Sequence, residues 1–193
     1  MKQTSSKTMT SYPKIATIKG VYVPREDSYL LAEAVEKYAF GKMLDMGTGS
    51  GIAGITGALK GCDVTFCDID SNAVSCAKAN AEANGIAGKF VVSDIFSKIN
   101  GSFNTIAFNP PYLNSESLGN DKVVDRTLDG GAEGREVIDR FLNEAASHLL
   151  DEHVILLLES SLNGYENDVV RLGAEVVCRM RLFFEELVVL RIK

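Results

Sequence analysis

Residues 106–114 read IAFNPPYLN. An apolar run ends in Asn109, and Pro110, Pro111 and Tyr112 follow. Both prolines fix φ and lack an N–H, so this step is stiff and rich in acceptors. The Asn109 side-chain oxygen can accept one hydrogen of a planar NH₂ group and the Pro110 carbonyl the other. Holding both hydrogens fixes the plane of that group and aims its nitrogen. Tyr112 can pack on a flat amide and tolerates nearby positive charge on its ring face. The chemistry suggested is the capture and orientation of a planar NH₂ group, with alignment as the main task. Alignment alone is worth up to about 7–11 kcal/mol of a barrier.

Further candidates lie at regular intervals upstream. LDMGTGSG brings Asp45 together with Gly47, Gly49 and Gly51. Glycines there let a backbone approach a ligand and turn into a helix N-terminus. CDID places Asp68 21 residues after Gly47, with Ile69 beside it. An acid at that spacing suits the two hydroxyls of a ribose, while Asp70 suits the cap of the following helix. SDIF supplies Asp94, an acceptor for an exocyclic amine, and Ile95, a cover for a flat ring. An adenosine carrying an amino-acid group uses all of these sites, with Asp45 and the glycine loop meeting the amino-acid part. A dinucleotide shares the glycines and the ribose acid but leaves the proline step unexplained.

Strand tips position such residues. Short apolar runs at KMLDM, DVTFCDI, KFVVSDI, FNTIAFN and HVILLLE alternate with helical spacing. The helical segments cover residues 24–40, 52–60, 70–84, 133–150 and 164–172. This alternation predicts an α/β fold, a doubly wound Rossmann-like seven-stranded sheet, mostly parallel. The last two strands, within residues 174–193, are joined too tightly for a crossover, so the last strand is expected to be antiparallel. Ligands in such sheets lie beyond the carboxyl ends of the strands. Residues 1–20 read as a flexible N-terminal lead-in, residues 21–193 as a single domain, and residues 113–131 as a long polar loop.

Composition narrows the options. The chain has 193 residues, 46% of them hydrophobic, and a net charge of −6. That charge argues against a protein that grips nucleic acid through phosphates. No run approaches the roughly 18 apolar residues of a membrane span. Cys62, Cys67, Cys76 and Cys178 lack metal-type spacing and read as buried free thiols of a cytoplasmic protein. No metal site is expected. His148 and His153 fall away from the strand tips and are assigned no catalysis, and Arg135 is expected to pair with Glu136 or Glu133 on the surface.

LDMGTGSG, CDID, SDIF and FNPPY together resemble the class I S-adenosylmethionine-dependent methyltransferases. Adding VYVPREDSYLL (residues 21–31) and LDGGAEGREVIDRFL (residues 128–142), the chain resembles the HemK-like glutamine methyltransferases, in their short archaeal and eukaryotic branch. The resemblance implies S-adenosyl-L-methionine as cofactor and the glutamine of the GGQ motif of a class I release factor as substrate. It also implies contact of Ser28 with the cofactor, with Tyr22 and Glu26 as weaker candidates for the substrate. A small zinc-containing activator subunit is implied too, pairing with a sheet edge expected at KFVVS (residues 89–93). An adenine-N6 methyltransferase acting on DNA or RNA is the alternative, since it presents the same kind of NH₂.

Overall fold

The computed structural model describes residues 12–112 and 134–193; the expected loop over residues 113–131 lies outside them. The elements are α1 (Glu26–Tyr38), β1 (Lys42–Met46), α2 (Ile52–Leu59), β2 (Asp63–Asp68), α3 (Ser71–Ala83), β3 (Lys89–Val92), β4 (Phe103–Phe108), α4 (Glu136–Ala145), β5 (Leu149–Ser160), α5 (Tyr165–Leu172), β6 (Glu175–Arg181) and β7 (Glu186–Ile192). They build one seven-stranded sheet in the order β3-β2-β1-β4-β5-β7-β6. Strands β1 to β5 are parallel, and β7 runs antiparallel to both neighbours. The final hairpin thus inserts its second strand beside β5 and leaves β3 and β6 as the edges.

The unbroken apolar run of β5 follows from burial on both faces. Val154, Leu156 and Leu158 point into the core under α1, α2 and α3, while Ile155 and Leu157 join Ile138, Phe141 and Tyr165 of α4 and α5 on the other face. This alternation is the two-residue period of a strand. β5 begins at Leu149, four residues earlier than HVILLLE suggests, because α4 stops at Ala145 and a single 3₁₀ turn carries the chain into the strand.

The described part of the supposed lead-in is fixed. Ala16 N–H donates to Asn80 Oδ1 at 3.0 Å, and Asn80 Nδ2 returns a bond to the Ala16 carbonyl at 2.8 Å. Asn84 does the same for Lys14, at 3.1 and 2.8 Å. Two carboxamides one helical turn apart mimic a strand partner for backbone that composition alone marks as unstructured; residues 1–11 lie outside the description.

The order reverses between β1 and β4, where Met46 lies opposite Phe108. That register sets Gly47 and Asn109 side by side at the switch point.

Candidate active site

A cavity of about 570 Å³ opens at the carboxyl end of the sheet. Ser28, Asp45, Gly47, Gly49, Asp68, Ile69, Asp94, Ile95, Asn109, Pro110, Pro111 and Tyr112 all face it. Gly51 does not line it: a Cβ there would lie 3.1 Å from the Ala77 Cβ, so this glycine lets α2 and α3 pack closely.

Asp45 is buried beneath the glycine loop. Its Oδ2 accepts from Thr48 Oγ1 at 2.5 Å and from Gly54 N–H, in the first turn of α2, at 2.9 Å. Burial pushes its carboxyl up to about 7 despite these two bonds, and Asp68 adds to the rise. Gly47 takes φ 61°, and a Cβ there would sit 3.0 Å from the Phe108 ring, so both conformation and space demand glycine.

Asp68 accepts from Gly49 N–H through Oδ2 at 2.9 Å and from Asp70 N–H through Oδ1 at 3.0 Å. Each oxygen keeps a second lone pair for a ligand hydroxyl. Asp70 caps α3 through Asn72 N–H at 2.9 Å. Ile69 is 68% exposed, an apolar face left beside the acid. Ile95 has φ 44°, a left-handed conformation that is uncommon for a β-branched residue. The Ser93 hydroxyl holds it there through the Ile95 carbonyl at 2.9 Å. Asp94 sits at the rim, and Arg140 Nη2 donates to its Oδ2 at 3.0 Å. Arg140 lines the cavity as well, and its place about one turn into α4 reads in the sequence as an ordinary solvated helical cation.

The decisive geometry is at Asn109. Its Nδ2 donates to Asp27 Oδ2 at 3.0 Å, while its Oδ1 is buried with no hydrogen-bond partner among the described residues. Since a carboxylate only accepts, Asp27 dictates which end of the carboxamide is which. Asp27 also accepts from Tyr22 OH at 3.0 Å and from Ser28 N–H and Oγ at 2.6 and 3.1 Å. Asp27 carries no sequence signal of this role, because an acid in a first helical turn reads as a favourable end charge. Ser28, expected at the cofactor, both lines the cavity and binds Asp27. The Tyr112 ring is buried, which raises its phenol well above the usual range.

Arg135 does not pair on the surface as expected. It turns inward to Glu159, Asp168 and Asp139, at 3.2, 2.5 and 3.0 Å. Glu159 is fully buried, and burial, with Asp168 beside it, raises its carboxyl while the Arg135 guanidinium offsets part of that rise. Glu133 lies outside the described residues. His148 stacks on Phe96, and neither it nor His153 lines the cavity. The four cysteines are buried and free. Among the described residues no acidic, histidine or cysteine group is placed to hold a metal, and no helix is long and apolar enough to cross a membrane.

A doubly wound sheet ending in an antiparallel hairpin, with a glycine loop after β1 and acids after β2 and β3, is the architecture of the class I methyltransferases. Residues 14–177 match the model of the methyltransferase small domain family, and the chain belongs to that family. A Methanocaldococcus jannaschii protein, provisionally named a protein N5-glutamine methyltransferase, is 37% identical over 177 residues, covering 88% of this chain and 90% of its own. The release factor glutamine methyltransferase of Deinococcus radiodurans is 32% identical, covering 70% of this chain and 52% of its own. An Escherichia coli ribosomal RNA small subunit methyltransferase C is 32% identical over 60% of this chain and 36% of its own. Among solved structures, the E. cuniculi Mtq2–Trm112 complex, responsible for methylation of the eRF1 termination factor, superposes with TM-score 0.69 at 26% identity, covering 90% of this chain and 98% of that one.

Proposed function

We propose that this methyltransferase moves a methyl group from S-adenosyl-L-methionine to the side-chain amide nitrogen of a protein glutamine, that of the GGQ motif of a class I release factor. The unpartnered, buried Asn109 Oδ1 carries this reading: it is an acceptor held ready for an N–H that the chain itself does not supply. The bound donor supplies a sulfonium-activated methyl group. Asp68 takes the ribose hydroxyls, Ile69 and Ile95 cover the adenine, and Asp94 accepts from its amine. Gly47, Gly49 and Asp45 face the amino-acid part. Asn109 Oδ1 and the Pro110 carbonyl take the two amide hydrogens and turn the nitrogen toward the methyl carbon. The N–C bond forms as the S–C bond breaks with its electron pair staying on sulfur, and the surplus amide proton leaves to water. No strong base is needed beforehand, because the nitrogen becomes acidic only as the methyl arrives.

Relatives that act on release factors support the protein substrate, as does the net charge of −6. The ribosomal RNA relatives keep a nucleobase amine as the second reading. The β6–β7 turn lies at the same end of the sheet as the cavity and exposes Phe183 and Phe184, by 91% and 87%, on the side from which a macromolecule would approach. Edge strand β3, which among the described residues pairs with β2 alone, is the place for an activator subunit to add a strand, and the structural relative is itself a two-protein complex. Incubation with labelled donor decides: label is expected in the release factor and not in its GGQ Gln→Ala variant, and equal label in both, or label only in RNA or DNA, rejects glutamine as acceptor.

Asp45 makes donor binding pH-dependent. Its raised carboxyl is protonated below about 7 in the free protein. A cationic amino-acid moiety nearby favours the ionised form, so binding releases a proton. Donor affinity should therefore fall as the pH drops below 7, approaching about tenfold per unit for one coupled proton. Without ligand the sign for stability is the opposite: with the folded value above the unfolded one, Asp45 contributes most at low pH, and that contribution is lost as the pH rises through 7. Calorimetric titration from pH 5.5 to 8.5 checks this, and Asp45→Asn should flatten the affinity profile.

A further inference from the structure

The Gly134–Arg135 pair plays no part in the transfer described above, yet it meets the acceptor step directly. Asn163, buried in the turn between β5 and α5, donates through Nδ2 to two carbonyls: that of Tyr112 at 2.8 Å and that of Gly134 at 3.1 Å. Asn163 is itself held from behind, because Arg135 Nη1 donates to its carbonyl at 3.0 Å and to Glu159 Oε2 at 3.2 Å. The other terminal nitrogen, Nη2, donates to Asp139 Oδ1 at 3.0 Å and Asp168 Oδ2 at 2.5 Å. One guanidinium fork thus joins three carboxylates and a backbone carbonyl, a task a point charge cannot perform. Gly134 closes the assembly. Its φ is 68°, and a Cβ there would lie 2.6 Å from both Asn163 Nδ2 and the Tyr112 oxygen.

We propose that Asn163, backed by Arg135, is a clamp that sets the direction of the Pro110 carbonyl. Neither residue touches the reacting atoms, so both are positioning residues that act through the Tyr112 carbonyl. The physical reason is the donor poverty of the step. Pro110 and Pro111 have no N–H by which to be tied down. Upstream the step is held by the pairing of β4 with β1 and β5. Downstream it needs a donor aimed at one of its own carbonyls, and Asn163 Nδ2 is that donor. With both ends fixed, two prolines leave the intervening carbonyl little freedom. The inference rests on the reading that transfer occurs at this step.

The test uses Asn163→Ala and Gly134→Ala in the full chain. Melting temperature, donor affinity, kcat and KM on the release factor, and amide hydrogen exchange over residues 103–112 are compared with the wild type. The expected result for Asn163→Ala is a kcat lowered about ten- to hundredfold, the scale of a misplacement near 1 Å. Donor affinity should stay within about threefold, and exchange should quicken over residues 103–112 but not over β1. Gly134→Ala should reproduce this by pushing the Tyr112 carbonyl aside, and if it does not fold, Asn163→Ala alone decides. Arg135→Lys, which keeps the charge and loses the fork, should resemble Asn163→Ala in kcat. Unchanged exchange, or quicker exchange with unchanged kcat, overturns the clamp. If the wild type itself does not methylate the release factor, the substrate reading fails, and unchanged exchange over residues 103–112 in Asn163→Ala still overturns the clamp.

Discussion

Asn109→Ala is expected to lower kcat about thousandfold while leaving the affinity for S-adenosyl-L-methionine within about threefold. A fixed group aimed at the reacting centre is worth roughly 10²–10³ in rate when removed. Here the loss is compounded, because the incoming amide would then be held by the Pro110 carbonyl alone and could rotate about that single bond. The cavity side proposed for the adenosine is untouched: the bonds of Asp68 to Gly49 and Asp70 do not involve Asn109. Asp68→Ala should show the reverse pattern, a donor affinity weakened at least tenfold with kcat at saturating donor largely kept. Stopped-time methylation assays with calorimetric donor titration separate the two. An Asn109→Ala enzyme retaining more than a tenth of the wild-type kcat would mean that its oxygen is not the acceptor.

The second large effect belongs to Asp27. Asn109 has only one donor–acceptor assignment while a carboxylate faces its Nδ2 at 3.0 Å. Asp27→Asn keeps shape and volume but offers an NH₂, so the Asn109 carboxamide can turn over and present its own NH₂ to the substrate. Two donors then face each other across the gap, and an acceptor becomes a repulsive group. The expected result is a kcat lowered about hundredfold with the melting temperature little changed. Tyr22→Phe removes one of the phenol, amide and hydroxyl donors to Asp27 but leaves the carboxylate in place, so its loss should be much smaller. Measuring both variants against one substrate separates orientation from packing. If Asp27→Asn and Tyr22→Phe lose the same factor, the carboxylate does not set the Asn109 orientation.

The elements were legible in the sequence because their signals are local. The run HVILLLE reads as a buried strand on apolar content alone, and the short link between β6 and β7 forbids a parallel crossover. The tips carrying Asp45, Asp68, Asp94 and Asn109 followed once the strands were placed, since ligands of a doubly wound sheet collect there. Where two local rules competed, the sequence misled. The lack of an apolar signal core made the N-terminal lead-in look free, and side-chain charge made Arg135 look superficial. Gly51, grouped with the loop glycines by spacing, serves helix packing instead.

From sequence alone came the order of strands and helices, the antiparallel end of the sheet and the residue types at its ligand end. These depend on periods of two and 3.6 residues and on what glycine and proline permit. Only the folded chain decided that Asp27 would orient Asn109 across 82 residues, that Asn163 would reach Tyr112 across 51, and that Asn80 would hold Ala16 across 64. A hydrogen bond between distant residues depends on where packing brings two side chains together, to within a few tenths of an ångström. No local pattern along the chain encodes that distance.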